Sequence, residues 1–258
     1  MMQLETMAQR HNFILDQLEN NEMLKVSELA KKLDVSIVTI RKDLKTLENK
    51  NLIYRTHGVI YKSNPYTHDL NVYEKNFINI EQKKQIGSFA ATLIEPNDAI
   101  LIGSGTTVLN FANAIQVTTG KLTVVTSAMN VALALSCKPN VEVIQLGGVV
   151  RPNSNSVVGP YAEDILKNMS FTKLFLGADG VDADYGFSTS NLLEANLNHS
   201  MIRAAQKTIV LTDSSKFGKK GFGKICDLNE VDHIVTDKDI TDKSKELIQN
   251  LSIELTIV

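Results

Sequence analysis

The chain of 258 residues has no tryptophan, five prolines and two cysteines, Cys137 and Cys226. The cysteines lie far apart and without metal-ligand spacing. They are expected to be free core thiols, which excludes a disulfide-stapled secreted fold. The five histidines are scattered and predict no metal site. No apolar run approaches the roughly 20 residues needed to span a bilayer. Residues 1–11 form no hydrophobic signal segment. These absences predict a cytoplasmic protein with no membrane partner, associated with the nucleoid if it binds DNA. Repeats and low-complexity tracts are also lacking. What is present is a hydrophobic content of 43%, enough for a sizeable core, in a length that allows one or two domains.

Formal charge is −2 over the whole chain but is unevenly spread. Between residues 37 and 62, Arg41, Lys42, Lys45, Lys50, Arg55 and Lys62 face only Asp43 and Glu48, a net of +4, whereas residues 1–36 carry −2. A local positive patch on a mildly acidic chain is an electrostatic footprint for a polyanion. Charge alone would fit a helical hairpin with a solvated face, so the order of elements has to decide. An amphipathic helix is predicted over residues 4–20, with Met7, Phe13, Ile14 and Leu18 inward. A short helix follows, capped by Ser27, with Leu29, Ala30 and Leu33 apolar. Residues 34–36 break it, and Ser36 can cap a second helix over residues 37–50. There Ile37, Ile40, Leu44 and Leu47 recur at three- and four-residue steps and predict a buried stripe. Thr39, Arg41, Lys42, Lys45 and Thr46 form the other face, suited to base edges and phosphates in a major groove. Residues 52–55 and 59–61 read as two strands around Thr56-His57-Gly58, a wing. Candidate DNA-binding residues are Ser36, Thr39, Arg41, Lys42, Lys45, Arg55 and His57.

After a polar linker, residues 62–79, short continuous apolar strands alternate with helices through residues 80–258. That pattern predicts a mostly parallel, Rossmann-like α/β sheet covered on both faces. In such sheets ligands sit beyond the carboxyl ends of the strands. The candidates there are Gly103-Ser104-Gly105-Thr106-Thr107, then Ser127, Gly147-Gly148, Asp179, Glu194 and Lys216. Glycines admit an anion to the backbone, a helix start supplies amides, Lys216 can neutralise a phosphate, and Asp179 and Glu194 can accept sugar hydroxyls. Any one of these would serve equally well as an ordinary turn or loop cap; their convergence on one sheet edge predicts a binding site.

These residues resemble a known family, the DeoR-type bacterial regulators of sugar operons. In the head the shared pattern is Arg10, Ile14 and Leu18; Val26, Leu29-Ala30 and Val35-Ser36; Thr39-Ile40-Arg41-Lys42-Asp43-Leu44 and Leu47; and Arg55-Thr56-His57-Gly58. Beyond it come Leu146-Gly147-Gly148, Gly159-Pro160, Gly177-Ala178-Asp179-Gly180, Glu194-Ala195 and Asp213-Ser214-Ser215-Lys216-Phe217-Gly218. Lys42, Asn51, Val59 and Gly103 depart from the usual form, and Lys42 keeps the charge but suits a phosphate better than a guanine. The resemblance implies a winged helix-turn-helix domain over residues 1–61 and a sensor domain over residues 80–258 similar in fold to ribose-5-phosphate isomerase. It implies a non-enzymatic repressor with no cofactor and no metal. The expected partners are double-stranded operator DNA, a phosphorylated sugar as effector, and further copies of the chain as a homodimer or larger homo-oligomer. The competing classes are a sugar-phosphate isomerase with a fused head, using Glu194 as base, and a DNA-binding protein whose second half only oligomerises. Against the isomerase, Phe187-Ser188-Thr189-Ser190-Asn191 stands where that enzyme has a lysine-glycine-rich segment.

Overall fold

The computed structural model describes residues 6–21, 23–49, 52–56, 58–62 and 71–258. The chain divides into two compact units, Met1–His68 and Asp69–Val258.

In the first unit, α1 (Met7–Asn20) starts at a capping box in which Thr6 and Gln9 each accept the other's backbone N–H at 3.2 Å. β1 (Leu24–Lys25), α2 (Val26–Lys32), α3 (Ile37–Asn49), β2 (Ile53–Thr56) and β3 (Val59–Lys62) follow. The strands form an antiparallel sheet in the order β1-β3-β2. β1, too short to read in the sequence, moves the start of α2: the Val26 N–H donates to the Gly58 carbonyl at 3.0 Å. Ser27 therefore lies inside the helix and does not cap it, and Lys25 stands at the cap position, its side chain paired with Glu28 at 3.3 Å and making no capping hydrogen bond. Asp34, at φ 52°, turns the chain out of α2. Ser36 then accepts the Thr39 N–H at 3.1 Å, as expected of a cap.

The core of this unit contains Ile14, Leu18, Leu29, Leu33, Ile40, Leu44, Leu47, Ile53 and Ile60. Two expected members are outside it: Met7 and Ile37 are each 48% exposed. Both open their helices, where Cβ tilts toward the N-terminus and past the core edge. Asp43, by contrast, is buried, and Arg10 grips its two oxygens at 2.6 and 3.1 Å, tying α1 to α3.

In the second unit, α4 (Val72–Lys75) and α5 (Ile80–Ala91) lead into β4 (Ala99–Ile102), α6 (Thr106–Ala114), β5 (Leu122–Thr126), α7 (Met129–Ser136) and β6 (Val141–Gln145). A hairpin of β7 (Val149–Arg151) and β8 (Ser156–Val158) precedes α8 (Pro160–Leu166) and β9 (Phe171–Leu176). Then come β10 (Gly180–Asp182), β11 (Gly186–Thr189), α9 (Leu192–Ala204), β12 (Ala205–Leu211), β13 (Gly223–Cys226), β14 (His233–Thr236), α10 (Asp242–Asn250) and β15 (Glu254–Ile257). The main sheet runs β15-β14-β12-β9-β4-β5-β6 with every pairing parallel.

Alternate strand residues feed two apolar layers. Leu101, Leu174 and Leu176 pack on one side, and Ile100, Ile102 and Phe175 on the other, where Phe175 meets Phe111 with ring centroids 4.2 Å apart. Chain order leaves β4 toward β5 on one side and returns as β9 on the other. The switch point between β4 and β9 is where such a sheet opens a crevice. The antiparallel sheet β10-β11-β13 and the β7–β8 hairpin stand apart from the main sheet. Of the two cysteines, both free, Cys226 is buried, with its thiol pushed up to about 12 by burial. Cys137, expected in the core, is exposed at the end of α7, where the helix turns out to solvent.

Candidate functional site

The outward face of α3 carries Arg41, Lys42 and Lys45, all exposed, with Thr39 half-buried beside the Ser36 cap. Because Asp43 is turned inward onto Arg10, it does not dilute this face. The Thr46 hydroxyl donates back to the Lys42 carbonyl at 3.2 Å. Arg55 is engaged within its own unit, where its Nε donates to Glu48 Oε2 at 3.1 Å. His57 lies outside the described residues.

In the second unit a cavity of about 780 Å³, including its open mouth, sits at the switch point. Ser104, Gly105, Thr106 and Thr107 line it where β4 passes into α6. Gly105 stands at the helix cap with φ +124°, a backbone state that favours glycine, and the first amides of α6 follow it. Asp179, beyond β9, and Lys216, beyond β12, enter the same space.

Asp179 binds Lys75 Nζ at 2.7 Å, accepts the Thr189 hydroxyl at 3.2 Å and has Lys216 Nζ at 3.9 Å. Burial works to raise its pKa, but Lys75 and then Lys216 outweigh that, and the carboxylate is held well below its ordinary range. Lys83, only 4% exposed, donates to the Lys75 carbonyl at 2.6 Å. Burial, aided by the neighbouring charge of Lys216, lowers its pKa to about 8. Asp213 is buried as well; Lys216, Ser215, Lys83 and Asn79 offset the burial and hold its pKa down.

At the other side Glu194 is buried. Ser104 and Ser156 both donate to its Oε1 at 3.2 Å, while the Arg151 guanidinium stands 3.6 Å from Oε2. That separation is beyond hydrogen-bond length and leaves Oε2 able to accept from a third group. The cavity thus holds three ammonium groups and a helix start, able to meet an anion, and three carboxylates, Asp179, Glu194 and Asp213.

Four expected residues are not in the lining. Gly148 packs under the Val158 carbonyl and Gly147 beside it opens the β7–β8 hairpin. Both follow β6, which is the sheet edge, three strands removed from β9. Ser127, after β5, is buried beneath β8, its carbonyl accepting the Val157 N–H at 2.9 Å. Gly103 faces the Leu176 side chain. In their place the cavity gains Lys75, Lys83, Asn153, Ser154, Thr189, Asn198 and Asp213. Lys75 comes from residues 71–79, read from sequence as linker; in the structure α4 and the turn after it are folded into the second unit, with Val72 buried but Tyr73 and Phe77 exposed. Lys83 had a legible signal: it precedes Ile86, Gly87 and Ala90 at helical spacing, on the buried face of α5.

An anion held by Lys83 gives a pH signature. A phosphate monoester takes its second charge near pH 6, and Lys83 loses its proton near pH 8. Affinity for a phosphorylated ligand is expected to be greatest between these values and to fall as pH rises through 8. Calorimetric titrations from pH 6 to 9.5 check this, and Lys83→Met should remove the alkaline limb.

Among the described residues no helix is long and apolar enough to cross a membrane, and no group of three His, Cys, Asp or Glu is placed to hold a metal ion. Fold and sites together define a winged helix-turn-helix unit joined to a parallel α/β unit with a cavity lined by charged side chains. The model of the DeoR-like helix-turn-helix domain matches residues 10–64, and that of the DeoR C-terminal sensor domain matches residues 78–238. The chain belongs to the DeoR family, as its sequence motifs implied. It is 35% identical, over 97% of its length and 94% of the relative's, to an Escherichia coli O157:H7 protein named for repression of the aga operon. It is 34% identical, over 87% and 89%, to the lactose phosphotransferase system repressor of Streptococcus mutans. Among solved structures, ribose 5-phosphate isomerase A of Methanocaldococcus jannaschii matches with a TM-score of 0.40 at 14% identity, over 54% of this chain and 55% of that one, a likeness too distant to speak to chemistry.

Proposed function

We propose that this chain is a transcriptional regulator of a sugar-metabolism operon, that residues 1–61 bind operator DNA, and that a phosphorylated sugar in the cavity controls that binding. The observation that carries the reading is the convergence of Lys75, Lys83 and Lys216 with the α6 start in one cavity that also holds Asp179 and Glu194. The names of the relatives, operon repressors of sugar systems, support it. We read the protein as a regulator and not an enzyme, active as a dimer or larger homo-oligomer in the cytoplasm. The phosphate rests on the lysines and α6, the sugar hydroxyls on Asp179 and Glu194. Ligand and DNA are then coupled because each favours one arrangement of the protein over another.

Two experiments test this. A thermal-shift panel of phosphorylated sugars, with the unphosphorylated sugars as controls, should yield stabilisation by one or a few phosphorylated members only; stabilisation by none would end the effector reading. On operator selected from random duplexes, Arg41→Ala should lose about 1–3 kcal/mol and blur sequence preference. Lys45→Ala should weaken all sequences alike and reduce the salt slope by about one unit. Intact affinity and selectivity in Arg41→Ala would show that α3 is not the reading helix.

A further inference from the structure

The exposed face of α3 is not purely cationic. Val38 is 75% exposed, and it is followed at three, four and seven residues by Arg41, Lys42 and Lys45, which places it in the centre of the charged face. Ile37, which the apolar periodicity assigned to the core, borders it and is 48% exposed. The core-facing positions of the same helix are fully occupied by Ile40, Leu44, Leu47 and the Asp43–Arg10 pair, so neither residue is required for packing.

A β-branched side chain standing in water within a cationic face gains nothing from folding and is a poor helix former. It is, however, rigid: in a helix its χ1 has one strongly preferred rotamer, so little entropy is lost when it is pressed against a partner. The charges around it select a polyanion as that partner. In the major groove the apolar group on a base edge is the thymine 5-methyl. Val38 also lies in the first turn of α3, where a recognition helix meets the bases.

We propose that Val38 is a specificity-determining residue that reads a thymine 5-methyl group in each operator half-site, with Ile37 shielding the contact from water. The inference rests on the DNA-binding reading above, but it concerns a separate group of atoms and can fail by itself. It predicts which chemical feature of the operator is read, and not merely that DNA is bound.

The test uses the full chain and the duplex it selects from a random pool. Each thymine is replaced in turn by deoxyuridine, which removes the methyl and leaves pairing intact. One position per half-site should weaken binding by about fourfold, the effect of exposing one methyl-sized apolar group. Val38→Ala should bind the thymine and uracil duplexes equally, and Val38→Thr, which keeps one methyl, should retain part of the discrimination. The exposed position makes unfolding of these variants unexpected, and a melting curve for each checks it. The inference is overturned if no uracil substitution weakens binding, or if the same penalty persists in Val38→Ala. It is also overturned if Val38→Ala alters self-association but not duplex binding, since the side chain would then dock on protein. Failure to select any duplex sequence would instead overturn the DNA-binding reading itself.

Discussion

Asp43→Ala is expected to destabilise the first unit by about 3–5 kcal/mol, the range for removing one partner of a buried ion pair. The Asp43 side chain is 2% exposed and that of Arg10 12% exposed. Arg10 is held more firmly protonated than usual by its hydrogen bond to Asp43, against the opposing effect of burial. His11 Nε2 stands 3.5 Å from the same carboxylate without bonding to it, so the loss of Asp43 strands the Arg10 guanidinium and leaves His11 facing an emptied site. Thermal unfolding followed by circular dichroism should show the transition of the first unit lowered while that of the second is retained. DNA binding should fail with it, because Asp43 fixes the helix that carries Arg41 and Lys45. A loss below 1 kcal/mol would mean that the pair contributes no more than a surface contact.

Lys216→Ala should lower affinity for the phosphorylated effector roughly ten- to hundredfold, since a hydrogen bond to a charged group contributes about 1.5–3 kcal/mol. Its side chain is 26% exposed, so the fold should persist. A second effect follows from the same charge. Lys216 helps to push Lys83 down to about 8, so its removal should raise the Lys83 pKa and move the alkaline limb of the binding profile upward. Calorimetric titration at two pH values measures both. An unchanged Kd would remove Lys216 from the site.

How far the sequence could be read depended on how local each constraint was. The α3 stripe of Ile40, Leu44 and Leu47, the Ser36 cap and the apolar runs of β4, β5 and β9 are local patterns and were legible. Asp43 was not, because the partner that pays for its burial lies 33 residues away, and a charge on a helix reads as exposed. Ser104 to Thr107, Asp179 and Lys216 were legible as strand-end residues, and Glu194, in the first turn of α9, through the Glu194-Ala195 motif. Gly147 and Gly148 have the same local character, but strand order puts β6 at the sheet edge, and strand order is not a local property. Lys75 was hidden for a similar reason: the cavity recruits it from ahead of the sheet, through a 2.7 Å contact with a residue 104 positions later.

The central claim is that occupancy of the lysine-lined cavity sets operator affinity. Its most direct test is fluorescence anisotropy of a labelled operator complex, titrated with the phosphorylated sugar that stabilises the protein and with the same sugar lacking phosphate. The account predicts a saturable change in DNA affinity with the phosphorylated sugar alone, its midpoint displaced at least tenfold in Lys216→Ala. An identical response to both sugars, or a midpoint that Lys216→Ala leaves in place, would contradict it.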